Sequence, residues 1–83
     1  MSIEIRQLRY AVATADTMSF SRAASSLGVK QSTLSKSIAA LEEQLGVRLF
    51  ERTTRGAITL ESGKVFLEIA RRILTEVDNL KTT

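Results

Sequence analysis

The chain has 83 residues, 43% hydrophobic and 25% charged, with 12 Lys and Arg against nine Asp and Glu and a net charge of +3. That length specifies one small domain burying only roughly 60% of its unfolded surface, so a partner subunit can usefully complete its packing. With neither Cys nor His, there is no disulfide framework, thiolate nucleophile, common zinc ligand or usual general base, so no enzyme activity, metal or cofactor is expected and a catalytic reading would rest on Ser and Glu alone.

The amino terminus MSIEIRQ carries an early acid and no apolar signal core. No apolar run approaches the ~18 residues of a membrane span, so a soluble, cytoplasmic chain with no membrane partner is expected. Ile5, Leu8, Val12 and Ala15 recur at steps of three and four and predict a first amphipathic helix over about residues 5–15. Ser19 suits the N-cap of a short second helix that turns Phe20, Ala23, Ala24 and Leu27 inward and stops at Gly28. A third helix follows, with Leu34, Ile38, Leu41 and Leu45 as its core stripe and Gly46 at its end. The period then shortens towards two. VRLFE and GAITL, separated by RTTR, predict a β-hairpin, and a long helix is expected from about Glu61 to Lys81.

Charge is placed unevenly along these elements. Residues 1–16 and 42–83 are each balanced, so the whole excess comes from residues 17–41, which hold Arg22, Lys30 and Lys36 and no acid. A polyanion can approach that segment unopposed. Within it, FSRAASSLGVKQSTLSKSIAAL has the spacing of a helix-turn-helix: Ala24 permits close helix approach, Gly28 ends the first helix, and Val29 fills the space under the turn. A helical hairpin in a plain three-helix bundle shares part of this pattern. On the third helix the core stripe leaves Ser32 and Lys36 opposite, flanked by Thr33 and Ser35, with Gln31 at the start and no acid before Glu42. Short hydrogen-bonding side chains and a cation suit a helix entering a major groove; a solvated face would usually mix Glu among the cations. Arg52, Thr53, Thr54 and Arg55 at the hairpin tip can reach phosphate or a minor groove as a wing, or form a soluble turn. In the last helix Phe66, Ala70, Ile73, Val77 and Leu80 step by four and three as a heptad seam, leaving Leu67, Ile69 and Leu74 to dock on the domain. The alternative is one broad stripe that wraps the domain's own core.

Taken together, RQLRY, SFSRAASSLGVKQSTLSKSIAALEEQLGVRLFER, TTRG and SGKVFLEIARRIL resemble the amino-terminal DNA-binding domain of LysR-type bacterial transcriptional regulators, collinearly over essentially the whole chain. The resemblance implies a mostly α winged helix-turn-helix over residues 1–60, three helices plus a two-stranded wing, and a linker and dimerisation helix over 61–83. It implies a homodimer through antiparallel linker helices, bound to double-stranded DNA at an interrupted palindrome near promoters and associated with the nucleoid. It also implies an effector-binding domain outside this chain, where any small-molecule effector would bind, and a higher oligomer of the full-length protein. Carried over by position, base contacts fall on Gln31, Ser32, Thr33, Ser35 and Lys36, and the wing contact on Arg55. Ser19, Arg22, Lys30, Arg52 and Thr53 are the further backbone and wing candidates, and Phe66, Ala70, Ile73, Val77 and Leu80 the dimer seam. Three positions depart from the pattern: Ser32 and Thr33 stand where many members have Pro, Lys36 where Arg is usual, and Leu60 where a capping Thr is usual. Lys36 therefore offers a point charge instead of a bidentate fork. A competing reading is a winged-helix docking or dimerisation module with an incidental basic face, whose binding would depend little on salt.

Overall fold

A computed structural model describes residues 2–82; residues 1 and 83, the outer limits of the two expected segments, lie outside the described residues. The elements run α1 (Ile5–Thr17), α2 (Phe20–Leu27), α3 (Gln31–Leu45), β1 (Phe50–Thr53), β2 (Gly56–Thr59) and α4 (Glu61–Thr82). The two strands pair antiparallel. This is the mostly α winged helix-turn-helix that the periodicities and the resemblance predict.

The first helix is buried on two sides instead of along one stripe. Tyr10 and Ala11 join the main core with Phe20, Ala23, Ala24, Leu34, Ile38 and Leu41, while Leu8 packs in a second cluster with Ala70 and Leu74 of α4. Val12 and Ala15 are only partly buried, and Ile5 is exposed, because a helix sandwiched between two layers uses more of its circumference than the predicted stripe. Thr14, with no exposure, satisfies its buried hydroxyl by donating to the Tyr10 carbonyl at 2.9 Å. At the start of α1, the Glu4 backbone N–H donates to Gln7 Oε1 at 2.9 Å.

Between α2 and α3 the chain turns as its sequence predicts. Ser19 Oγ accepts from the Arg22 backbone N–H at 3.0 Å, and Gly28 takes the left-handed conformation at φ 68° that ends α2. Val29 is partly buried against the core. The third helix buries Leu34, Ile38 and Leu41, then stops at Gly46.

The hairpin is shorter than the expected strands. Phe50 faces Thr59 and Thr53 faces Gly56, so Val47, Arg48 and Leu49 lie before β1 and the turn consists of Thr54 and Arg55. Glu42 holds the chain just ahead of the hairpin: its Oε2 accepts from the backbone N–H groups of Leu49 at 2.7 Å and Phe50 at 3.3 Å, diverting the Leu49 donor that a longer strand would pair with Leu60. The second wing strand is stapled near its turn to the end of α1, where the Ala57 N–H donates to the Met18 carbonyl at 2.9 Å. A Cβ on Gly56 would stand 2.3 Å from that same oxygen, so glycine is required here for close approach.

The last helix begins without the usual capping Thr. Leu60 donates to the Leu49 carbonyl at 2.8 Å and its own carbonyl accepts from Gly63 at 2.9 Å, while Ser62 Oγ donates to the Arg48 carbonyl. Gly63 lets α4 descend onto the chain at Leu49, where a Cβ would meet Cα and O at 2.8 Å. From there Gly63, Leu67, Ala70 and Leu74 are buried. Asp16 and Arg71 form an ion pair across the α1-α4 contact, and Arg9 and Asp78 a looser one at 3.4 Å. The hydrogen bond to Asp16 raises the Arg71 pKa above its ordinary value.

This docking corrects the expected seam. Ala70 has no exposure and packs on Leu8, with Phe66 partly buried against the same cluster. Ala70 is thus closed within the domain and Phe66 is only partly open; Ile69, expected to dock inward, is instead 44% exposed. The cause is rotation: seating Gly63 on Leu49 turns the Leu67, Ala70 and Leu74 side inward and rolls the neighbouring row outward. Val65, Ile69, Ile73 and Leu80 are exposed. Ile69, Arg72, Ile73, Glu76, Val77 and Leu80 line an open apolar groove.

Candidate nucleic-acid interface

The start of α3 is the centre of the site. Its backbone enters from Lys30 in an extended conformation, and no acid lies in its first turn. The unpaired N–H groups and the positive end of the helix dipole thus face outward with no side-chain carboxylate to neutralise them. Gln31, Ser32, Thr33 and Lys36 are all exposed on this end, as are Lys30 and Arg22. Leu34 and Ile38, at 0% and 2% exposure, fix the helix rotation that presents them. The exposed start of α3 thus presents four of the five expected base-contacting residues together with Lys30, one of the expected backbone contacts, in a stretch of chain that holds no acid.

Other candidates are already engaged within the fold. Ser19 uses its hydroxyl as the α2 cap. Thr53 holds the wing turn, its hydroxyl donating to the Gly56 carbonyl at 3.2 Å and accepting from the Arg55 N–H at 3.1 Å. Arg55 sits in the two-residue turn and is exposed. Arg52 is not at the tip, contrary to expectation. It lies within β1, pairs in register with Ala57, and donates from its guanidinium to Ser35 Oγ at 2.8 Å. Ser35 is therefore partly buried between α3 and the wing, unlike its neighbours. The same guanidinium covers the Phe20 ring, 3.8 Å from its centroid. Sequence reasoning placed Phe20 in the core and missed this second role; an aromatic at the start of α2 with an arginine in the wing was the available signal. Among the described residues, no group of three or more acidic, His or Cys side chains can hold a metal ion, and no helix is long and apolar enough to cross a membrane.

Comparison with known proteins agrees with this geometry. The family described as bacterial regulatory helix-turn-helix protein, lysR family, matches residues 5–64. The HTH-type transcriptional regulator YnfL of Escherichia coli (strain K12) is 48% identical over 79 residues, covering 95% of this chain and 27% of that protein. The chain thus spans about a quarter of that curated relative, and 33% of TfdT from Cupriavidus pinatubonensis, which is 47% identical over 75 residues and covers 90% of this chain. Among solved structures, the CbnR DBD-DNA complex superposes with a TM-score of 0.90 at 40% identity, covering 96% of this chain and 92% of that one. The collinear helices, wing and α4, with a family match across the helix-turn-helix and these relatives, establish that the chain belongs to the lysR family of bacterial regulatory helix-turn-helix proteins.

Proposed function

We propose that this chain binds double-stranded DNA sequence-specifically as the DNA-reading part of a bacterial transcriptional regulator, and that it is a binding module without catalysis. The carrying observation is the exposed amino-terminal end of α3, free of acids in its first turn, with Gln31, Ser32, Thr33 and Lys36 displayed after Lys30 and with Arg22 exposed on α2. In this reading α3 enters the major groove, Arg55 meets phosphate or the minor groove from the wing turn, and residues 61–83 link and pair two copies on an interrupted palindrome. The protein acts in the cytoplasm, on the chromosome; an effector domain and a higher oligomer belong to the longer regulator. The CbnR relative was crystallised with DNA, which supports the same mode here.

Lys36→Ala and Thr33→Ala are expected to weaken cognate half-site binding selectively, by ~1 to 3 kcal/mol for a good base contact. Both side chains are exposed, so folding is spared. Titration of a selected cognate duplex against a scrambled one checks this; equal losses on both would reduce these residues to phosphate contacts.

Arg55→Ala is expected to lower affinity for most duplexes with little change of preference, and to reduce the slope of log K against log salt by up to ~0.9 if it neutralises one phosphate. A salt series on wild type and variant measures it. Unchanged slope and affinity would remove the wing turn from the interface.

A further inference from the structure

Alternation along β1 puts Phe50 and Arg52 on the face turned towards α3, and Glu51 on the other. Phe50 is 3% exposed, whereas Glu51 and Arg52 are both exposed, so it is the contacts of the Arg52 guanidinium that show which way it turns. Arg52 is aimed back over its own protein. Its guanidinium lies on Phe20, and that ring is held in turn by an edge-to-face contact with Phe50 at 6.0 Å and 78°. No carboxylate takes part in the clamp: the ion pairs among the described residues are Arg6-Glu4, Arg9-Asp78, Lys64-Glu61 and Arg71-Asp16.

The hydroxyl at the other end of the clamp is chemically polarised. A serine hydroxyl has one proton and two lone pairs. Thr14, Ser26 and Thr75 each direct that proton to a carbonyl of their own helix. Ser35 makes no such bond among the described residues; its oxygen instead accepts from Arg52. A cation on one lone pair turns the O–H dipole away from itself, so the unused proton points out of the contact.

We infer that Arg52 is a positioning residue that locks the wing to the recognition helix and presents the Ser35 hydroxyl to DNA as a hydrogen-bond donor. Ser35 then meets an acceptor, either a phosphate oxygen or a base-edge N7, O6 or O4. Arg52 itself neutralises no phosphate. This rests on the duplex-binding reading above.

The test is a double-mutant cycle with Ser35→Ala and Arg52→Lys, read on duplexes selected by the wild-type chain. Lysine keeps the charge but cannot cover the ring and fork onto the hydroxyl together. Each single variant is expected to lose roughly three- to ten-fold in cognate affinity, and the double variant no more than either. Ser35→Thr, which keeps the hydroxyl, restores binding. If both single variants change preference at the same base pair, the acceptor is on a base; if both weaken all duplexes alike with an unchanged salt slope, it is a phosphate. Fully additive losses, or a salt slope that falls by ~0.9 on Arg52→Gln, overturn the inference in favour of a direct phosphate contact. A second readout needs no DNA: in the free chain the Arg52 side-chain protons should be shifted upfield by the Phe20 ring and lose that shift in Phe20→Leu. An unshifted Arg52 in the free chain overturns the clamp even if duplexes bind. A shifted Arg52 in a chain that binds no duplex overturns the duplex-binding reading and, with it, the donor role of Ser35.

Discussion

Ile73→Glu is expected to yield a folded monomer that binds a single half-site weakly and no longer prefers the palindrome. Ile73 is 40% exposed in the chain, in the middle of the apolar groove lined by Ile69, Arg72, Ile73, Glu76, Val77 and Leu80, so a carboxylate there is solvated in the monomer. In a two-fold helix pair it would be buried near its symmetry mate, and each unpaired buried ion costs several kcal/mol. Sedimentation measures the loss of dimer. Inserting five base pairs, about half a helical turn, between half-sites should hurt the wild type and leave the variant nearly indifferent. A variant that still dimerises would show that this groove is not the pairing surface.

Gly63→Val is expected to destabilise the fold by an amount at or above the top of the ~1 to 3 kcal/mol range for overpacking. On helix propensity alone, replacing a glycine is favourable, though less so in the first turn, where Gly63 lies, than in a helix interior, so the two effects have opposite signs. Contact decides: the new Cβ would lie 2.8 Å from backbone atoms of Leu49, which cannot swing aside as the end of a flexible side chain can. For a domain of this size ~3 kcal/mol corresponds to a fall in melting temperature of at least ~12 °C. A rise in melting temperature would mean that α4 does not seat on Leu49.

Most elements were legible because local signals agreed with tertiary demand. Ser19, by its hydroxyl, and Gly28 and Gly46, by their backbone freedom, mark helix ends locally, and Leu34, Ile38 and Leu41 have only one direction in which to be buried. The misjudged residues are those whose environment depends on distant chain. In α4 two apolar stripes overlap, and periodicity cannot tell which belongs to the domain. The choice is made by Gly63 meeting Leu49 and Ala70 meeting Leu8. Arg52 reads as a hairpin-tip cation until the two-residue turn at Thr54 and Arg55 places it in β1, opposite Ala57. Met18 carries no turn signal at all, yet takes a left-handed φ of 55° at the end of α1; the carbonyl it exposes there is the one that holds the wing. The acid-free start of α3 was readable because charge needs no partner residue to be counted.

The position of α1 sets how the molecule opens. That helix touches α2, α3, β2 and α4, so none of these can separate from it without uncovering part of the shared core. Backbone amides in its central turns should therefore exchange with deuterium only through global unfolding, with one common opening free energy. After Leu74 the last helix has no buried residue among those described, and as a monomer its final two turns should exchange by local fraying. If a second copy covers the Ile73 groove, protection there must rise with protein concentration while protection in the α1 centre rises only as far as dimer formation stabilises the whole fold. The separation between those two levels of protection becomes a residue-level gauge of pairing that requires neither DNA nor a substitution.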